Sequence, residues 1–144
     1  MSASVKEVED HYEKYPYPSY PWYAMGSWRQ LQQIDLVEWG VKSKSPKLWL
    51  AGCGSISPLM FARRNPRAKI LATDLSNKSL NQARLRSWLF GQHQIEFKKE
   101  NLLEADYESQ FDAIDAFGVI HHTPEPAAAL AIFEKALKPN GILR

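Results

Sequence analysis

The chain has 144 residues, 44% of them apolar and 24% charged, with a formal net charge of +2, a composition that suits one globular domain with a sizeable core. So small a charge gives no electrostatic footprint for nucleic acid, and its one basic group, Arg63, Arg64, Arg67 and Lys69, reads as a solvated helix end. No apolar run approaches the roughly 18 residues that span a bilayer, the polar segment MSASVKEVEDHYEKY is unlike a signal peptide, and the single cysteine, Cys53, has no internal disulfide partner, so a cytoplasmic protein is expected.

Val5, Val8, Tyr12 and Tyr15 recur at helical spacing, and Pro16 stops the pattern. The segment YPYPSYPWY, residues 15–23, then alternates prolines with aromatic rings; proline fixes φ and removes amide donors, so an extended arm is predicted. Tyr17 and Tyr20 are candidates to shape a cationic pocket through their ring faces, against a plain covering of exposed core. Pro18 and Pro21 form one PxxP, a frequent accident. A second helix follows, with Ser27 as N-cap, Leu31, Ile34 and Val37 on one face, and Gly40 past its end. Residues 1–45 are thus read as an N-terminal arm and residues 46–144 as the core domain.

From Pro46 the rhythm changes. A strand over residues 47–51 ends at Gly52 and Gly54, and Ser57 as cap with Pro58 in the first turn starts a helix that stops near Asn65-Pro66. A strand over 68–73 leads to Asp74; Ser76 caps a helix to about Phe90, with Gly91 beyond it. Strands are predicted at 94–98 and 111–117, then a helix at 126–137 with Ala127, Leu130, Phe133 and Leu137 on one face. Residues 138–141 form a turn, and Ile142 begins another strand. This alternation predicts an α/β fold, a doubly wound, mostly parallel sheet covered on both faces.

The chemistry sits after the strands. Gly52 and Gly54 let the backbone take conformations closed to other residues and let a ligand approach closely. Dinucleotide oxidoreductases use a related turn, but their third glycine would fall at position 57, which is Ser57. Asp74 closes the second strand 22 positions after Gly52 (74 − 52), where a carboxylate can accept hydrogen bonds from both ribose hydroxyls of a nucleoside. Asn101 follows the third strand and is placed to meet an adenine edge. Gly118, His121 and His122 follow the fourth, whose tip lies beside the first where strand order reverses. The two histidines are candidates for a general base, against one being structural and the other bordering the pocket. Adjacent histidines without nearby Cys or carboxylate partners suit no metal, so none is predicted. Cys53, between two glycines, reads as a small packing residue of the turn and not as a nucleophile.

LWLAGCGS, ILATDLS, ENLLEAD, FDAIDAFGVIHHTPEP and ALKPNGIL stand in the order and spacing of class I S-adenosylmethionine (SAM)-dependent methyltransferases, which the chain resembles over residues 12–144. It looks closest to a bacterial subgroup, often fused to tetratricopeptide repeats, with an upstream aromatic–proline segment, an AGCG turn and a double histidine. The resemblance implies a Rossmann-like sheet and a SAM site. Gly52 and Gly54 would line the methionine and sugar part, with Cys53 in the turn and Ala51 contributing backbone. Asp74 would bind the ribose hydroxyls and Leu75 would pack on adenine. Asn101 would stand where many relatives have an aspartate touching the adenine amine, Leu102 would offer its amide, and Phe117 and Gly118 would lie beside the methionine end.

Two positions depart from that family. Leu50 replaces an acidic residue often near the methionine amino group, and Ile56 replaces the last glycine of the turn, crowding the loop. The resemblance implies methyl transfer from SAM, leaving S-adenosylhomocysteine, to an acceptor that the sequence does not name. A non-catalytic SAM-fold regulatory or partner module is the alternative; a nicotinamide-dinucleotide oxidoreductase is opposed by Ser57 and ALKPNGIL. The fifth strand is expected to be cut at Arg144 after about three or four residues, short of an ordinary strand. That leaves a fourth-strand edge open to another chain, so self-association is expected.

Overall fold

The computed structural model describes residues 4–15, 21 and 28–144. The expectations for Tyr17, Tyr20, Pro18 and Ser27 lie outside the described residues. Five strands, β1 (Lys47–Ala51), β2 (Lys69–Asp74), β3 (Ile95–Lys99), β4 (Phe111–Asp115) and β5 (Leu137–Leu143), form one parallel sheet in the order β3-β2-β1-β4-β5. The helices are α1 (Val5–Lys14), α2 (Trp28–Gln33), α3 (Ser57–Arg64), α4 (Asn77–Leu89) and α5 (Pro126–Ala136), with 3-10 turns at Leu102–Glu104 and Ile120–His122. The doubly wound parallel sheet expected from the sequence is present.

The central strand shows why both faces are covered. Successive side chains of a strand point to opposite faces, and β1 is apolar on both. Leu48 and Leu50 enter a cluster with Leu31, Ile34, Phe61, Ala62 and Leu80, under α2, α3 and α4. Trp49 and Ala51 enter the other cluster, with Leu102, Ala129 and Phe133, under α5 and the first 3-10 turn. The buried Trp49 keeps its one polar atom satisfied, its Nε1 donating to Thr73 Oγ1 at 2.9 Å.

Several boundaries differ from expectation, each for a local reason. α2 stops at Gln33, and Val37 is 76% exposed while Leu36 is buried in its place. Asp35 accepts the Val37 amide at 2.9 Å and Asn65 accepts the Leu36 amide at 3.0 Å, side-chain bonds that compete with helix continuation. Ser57 is the first residue of α3 and not its cap; Ile56 holds the cap position without a side-chain bond. Ser76 does cap α4, accepting the Ser79 amide at 3.1 Å. β4 ends at Asp115, because the chain turns at once through a Val119 N–H to Ala116 carbonyl bond of 3.1 Å and a positive φ of 76° at Gly118. On α5 the buried face is Ala129, Phe133 and Ala136, and Ala127 and Leu130 face outward. The small residues let the helix approach the sheet, and Phe133 meets Trp49 edge-on at 5.3 Å.

The fifth strand is the largest correction. It spans seven residues, and the predicted turn at residues 138–141 lies inside it as a bulge. Between the pairs Phe111↔Leu137 and Ala113↔Ile142 the β4 side advances by 2 (113 − 111) and the β5 side by 5 (142 − 137). Asn140 absorbs the excess at φ 64°, a conformation asparagine tolerates. β4 is therefore paired on both sides, and β3 and β5 are the sheet edges.

The two faces of α5 give a direct check. Phe133→Ala should destabilise the chain by about 3–5 kcal/mol, whereas Leu130→Ala should stay within about 0.5 kcal/mol. Urea denaturation of both variants reads the difference, and comparable losses would contradict the assigned face.

Candidate functional site

The C-terminal ends of β1, β2 and β4 converge where strand order reverses, the place at which open α/β sheets bind ligands. Gly52 and Gly54 both have positive φ, 64° and 60°. A Cβ built on Gly52 would lie 2.5 Å from Cγ2 of Val119, so glycine is required there by space as well as by conformation. The Cys53 amide donates to the Thr73 carbonyl at 2.9 Å, tying the turn to β2.

Asp74 organises the next layer. Its Oδ2 accepts the Gly54 amide at 2.8 Å and its Oδ1 the Ser76 amide at 2.9 Å. Burial pushes its pKa above the ordinary carboxylate value; the amides of Ser76, Gly54 and Leu75 oppose that shift, and the Glu13 carboxylate adds to it. One carboxylate thus joins the glycine turn to the start of α4.

A cavity of about 430 Å³ opens beside this group. Among the sequence candidates, Gly52, Cys53, Gly54, Asp74, Leu75, Asn101, Leu102, Phe117, Gly118 and His122 line it, and Ala51 and His121 do not. Asn101 is engaged at both ends of its amide, accepting the Leu103 amide at 3.1 Å and donating to Glu104 at 2.9 Å, so it caps the 3-10 turn. Cys53 is buried and its thiol is held well above the ordinary value, first by burial and then by Asp74, which suits a packing residue and no thiolate. Ile56 is buried in the cavity wall.

The two histidine rings lie 4.0 Å apart, and His122 meets Tyr12 edge-on at 6.3 Å. Burial, His121 and His11 hold His122 below the ordinary imidazole value, so it is neutral at neutral pH.

Other lining residues were not assigned from the sequence. Val5, Val8 and Tyr12 of α1 border the cavity, as do Gln30 and Gln33 of α2, Val119, and Arg144 at the end of β5. The amphipathic spacing of Val5, Val8 and Tyr12 marked a helix without saying what it covers. Its seat comes from long-range contacts: Glu13 accepts the Asn77 amide at 2.6 Å and Glu9 pairs with Lys99 at 2.6 Å. Among the described residues no group of three or more His, Cys, Asp or Glu side chains is arranged to hold a metal ion. No helix among them is long and apolar enough to cross a membrane.

A methyltransferase domain family matches residues 50–143, which contain the glycine turn, Asp74, Asn101 and the two histidines. The chain belongs to that family. An uncharacterized protein of Synechococcus sp. is 37% identical to this methyltransferase domain over 101 residues, 68% of the chain and 24% of that protein. The ubiquinone biosynthesis O-methyltransferase of Neisseria meningitidis serogroup C is 28% identical over 131 residues, 85% of the chain and 54% of that enzyme. Among solved structures, the [4+2]-cyclase SpnF superposes with a TM-score of 0.79 at 24% identity, over 99% of the chain and 59% of that protein, a likeness of fold. The chain therefore spans between 24% and 54% of the length of these two relatives.

In this methyltransferase domain the second acidic group near the strand tips is Asp115, which burial raises to about 6 although the neighbouring Arg144 opposes the shift. Folded Asp115 is protonated at a higher pH than its ordinary value of 3.8. Its contribution to stability is therefore full below that ordinary value and declines as pH rises through about 6. Asp115→Asn should make the slope of unfolding free energy against pH more positive between about pH 4 and 7. Urea denaturation across that range measures it, and an unchanged slope would contradict the assignment.

Proposed function

We propose that the chain is the cofactor-binding portion of a SAM-dependent methyltransferase, moving a methyl group from SAM to an acceptor and leaving S-adenosylhomocysteine. The observation that carries this reading is Asp74, half-buried beside two positive-φ glycines with one amide on each carboxylate oxygen. A carboxylate oxygen can accept more than one hydrogen bond, so both oxygens can still take ribose hydroxyls. Leu75, Leu102, Val5 and Val8 of the cavity lining offer apolar surface to a planar base. Family membership supports the enzyme over the non-catalytic module and the oxidoreductase, since methyltransferases of this family generally use SAM.

When bound, SAM supplies a methyl carbon already electrophilic on a sulfonium, so no covalent enzyme intermediate is needed. The chain's own residues hold the nucleoside at Asp74, close the cavity with α1, and leave the acceptor to be aligned about 3 Å from the methyl carbon. A base is required only when the acceptor must lose a proton. His122, lining the cavity and neutral at neutral pH, is the residue for that step, and His121, outside the lining, is not. The similarity to O-methyltransferases supports a hydroxyl acceptor.

Calorimetric titration with S-adenosylhomocysteine, with NADH as control, tests the reading. Micromolar binding of the first alone is expected, and Asp74→Ala should weaken it by about 1–3 kcal/mol. Binding of NADH alone, or an affinity unchanged by Asp74→Ala, would overturn it.

A further inference from the structure

The position where resembling methyltransferases carry an acidic residue on the first strand is Leu50, which is 1% exposed in the core. Its register partner on β4 is Asp115. Register partners on neighbouring parallel strands face the same side of a sheet about 5 Å apart, so the carboxylate missing from β1 returns to the same layer one strand over. Asp115 holds a cation there: its Oδ1 lies 2.9 Å from Nε of Arg144.

Arg144 is fixed on several sides. Its guanidinium lies 5.0 Å from the ring centre of Phe117, 5.3 Å from Trp39 and 5.9 Å from Phe61, and its Nη1 donates to the Gln33 carbonyl at 3.1 Å. It lines the cavity together with Phe117 and Gln33. The Gln33 bond uses one of the guanidinium's five N–H donors and the Asp115 contact is an ion pair, and a planar fork held by rings and a carboxylate is preorganised for a carboxylate ligand. Asp74 ends β2 and Asp115, which holds the Arg144 guanidinium, ends β4, so two strand spacings, about 10 Å, separate the two carboxylate-bearing strand ends. Asp74, the glycine turn and Arg144 line the same cavity.

We propose that Arg144, oriented by Asp115, binds the α-carboxylate of the amino-acid end of SAM, so that the anchor missing from β1 is supplied by the β4–β5 pair. The zwitterion matches the site: guanidinium faces carboxylate, and the Asp115 charge favours the adjacent ammonium. Arg144 is a cofactor-binding residue, and Asp115 positions it. This assignment rests on the SAM reading above.

The experiment compares S-adenosylhomocysteine with 5′-methylthioadenosine, which keeps the nucleoside and lacks the amino-acid end. Arg144→Ala should weaken S-adenosylhomocysteine about tenfold or more and leave 5′-methylthioadenosine within about twofold, since the lost bonds are charge-assisted and local to the amino acid. Asp115→Asn should show the same selectivity with a smaller loss. A second comparison needs no variant: the wild-type chain should bind decarboxylated S-adenosylhomocysteine about tenfold more weakly than the parent. Equal losses for both nucleosides in Arg144→Ala, or equal wild-type affinity for the decarboxylated analogue, would overturn the assignment. A wild-type chain that binds neither nucleoside would overturn the SAM reading itself.

Discussion

The Asp74 carboxylate is the constraint on which the site depends. It sits at the end of β2, yet its hydrogen bonds go to the Gly54 amide in the turn after β1 and the Ser76 amide at the cap of α4. One carboxylate thus joins the turn after β1 to the β2–α4 corner 20 positions later (74 − 54), and burial raises its pKa because little water remains to solvate it. The glycines at 52 and 54 are the other half of the bargain between backbone and ligand space. At Gly52 only a residue without a Cβ lets Val119 pack against the turn, and both glycines line the cavity.

Around that pin the sheet acts as a frame. β1 is apolar on both faces, and the two clusters it joins hold the tips of β2 and β4 on either side of the glycine turn. α1 covers the cavity through Val5, Val8 and Tyr12 and is held by Glu13 on the α4 N-terminus and Glu9 on Lys99. These exposed polar contacts are individually weak, whereas the β1 side chains Leu48, Trp49 and Leu50 are buried in the core.

Much of this was legible in the sequence because the governing forces are local. Strand–helix alternation, the glycine turn and the Ser76 cap each depend on a few neighbouring residues, and each is found where expected. The failures share another cause. Val37 and Leu130 fit a helical period, but Asp35 and Asn65 end α2 early, and small residues on α5 pack on the sheet in place of Leu130. The KPNG segment has turn chemistry and does make an irregularity, yet pairing with β4 carries the strand through it. Asn101 lines the cavity as its position suggested, but its bonds to Leu103 and Glu104 depend on the fold of the 3-10 turn and were not legible. Asp115 and Arg144 were invisible as a pair, since 29 positions (144 − 115) separate them and only the β4–β5 pairing brings them together.

A crystal structure of the chain with S-adenosylhomocysteine tests the central claim most directly. The account predicts both Asp74 oxygens within about 2.6–3.2 Å of the two ribose hydroxyls, with the bonds to the Gly54 and Ser76 amides retained. A ribose bound away from β2, or an Asp74 side chain turned out of those amides, would contradict it.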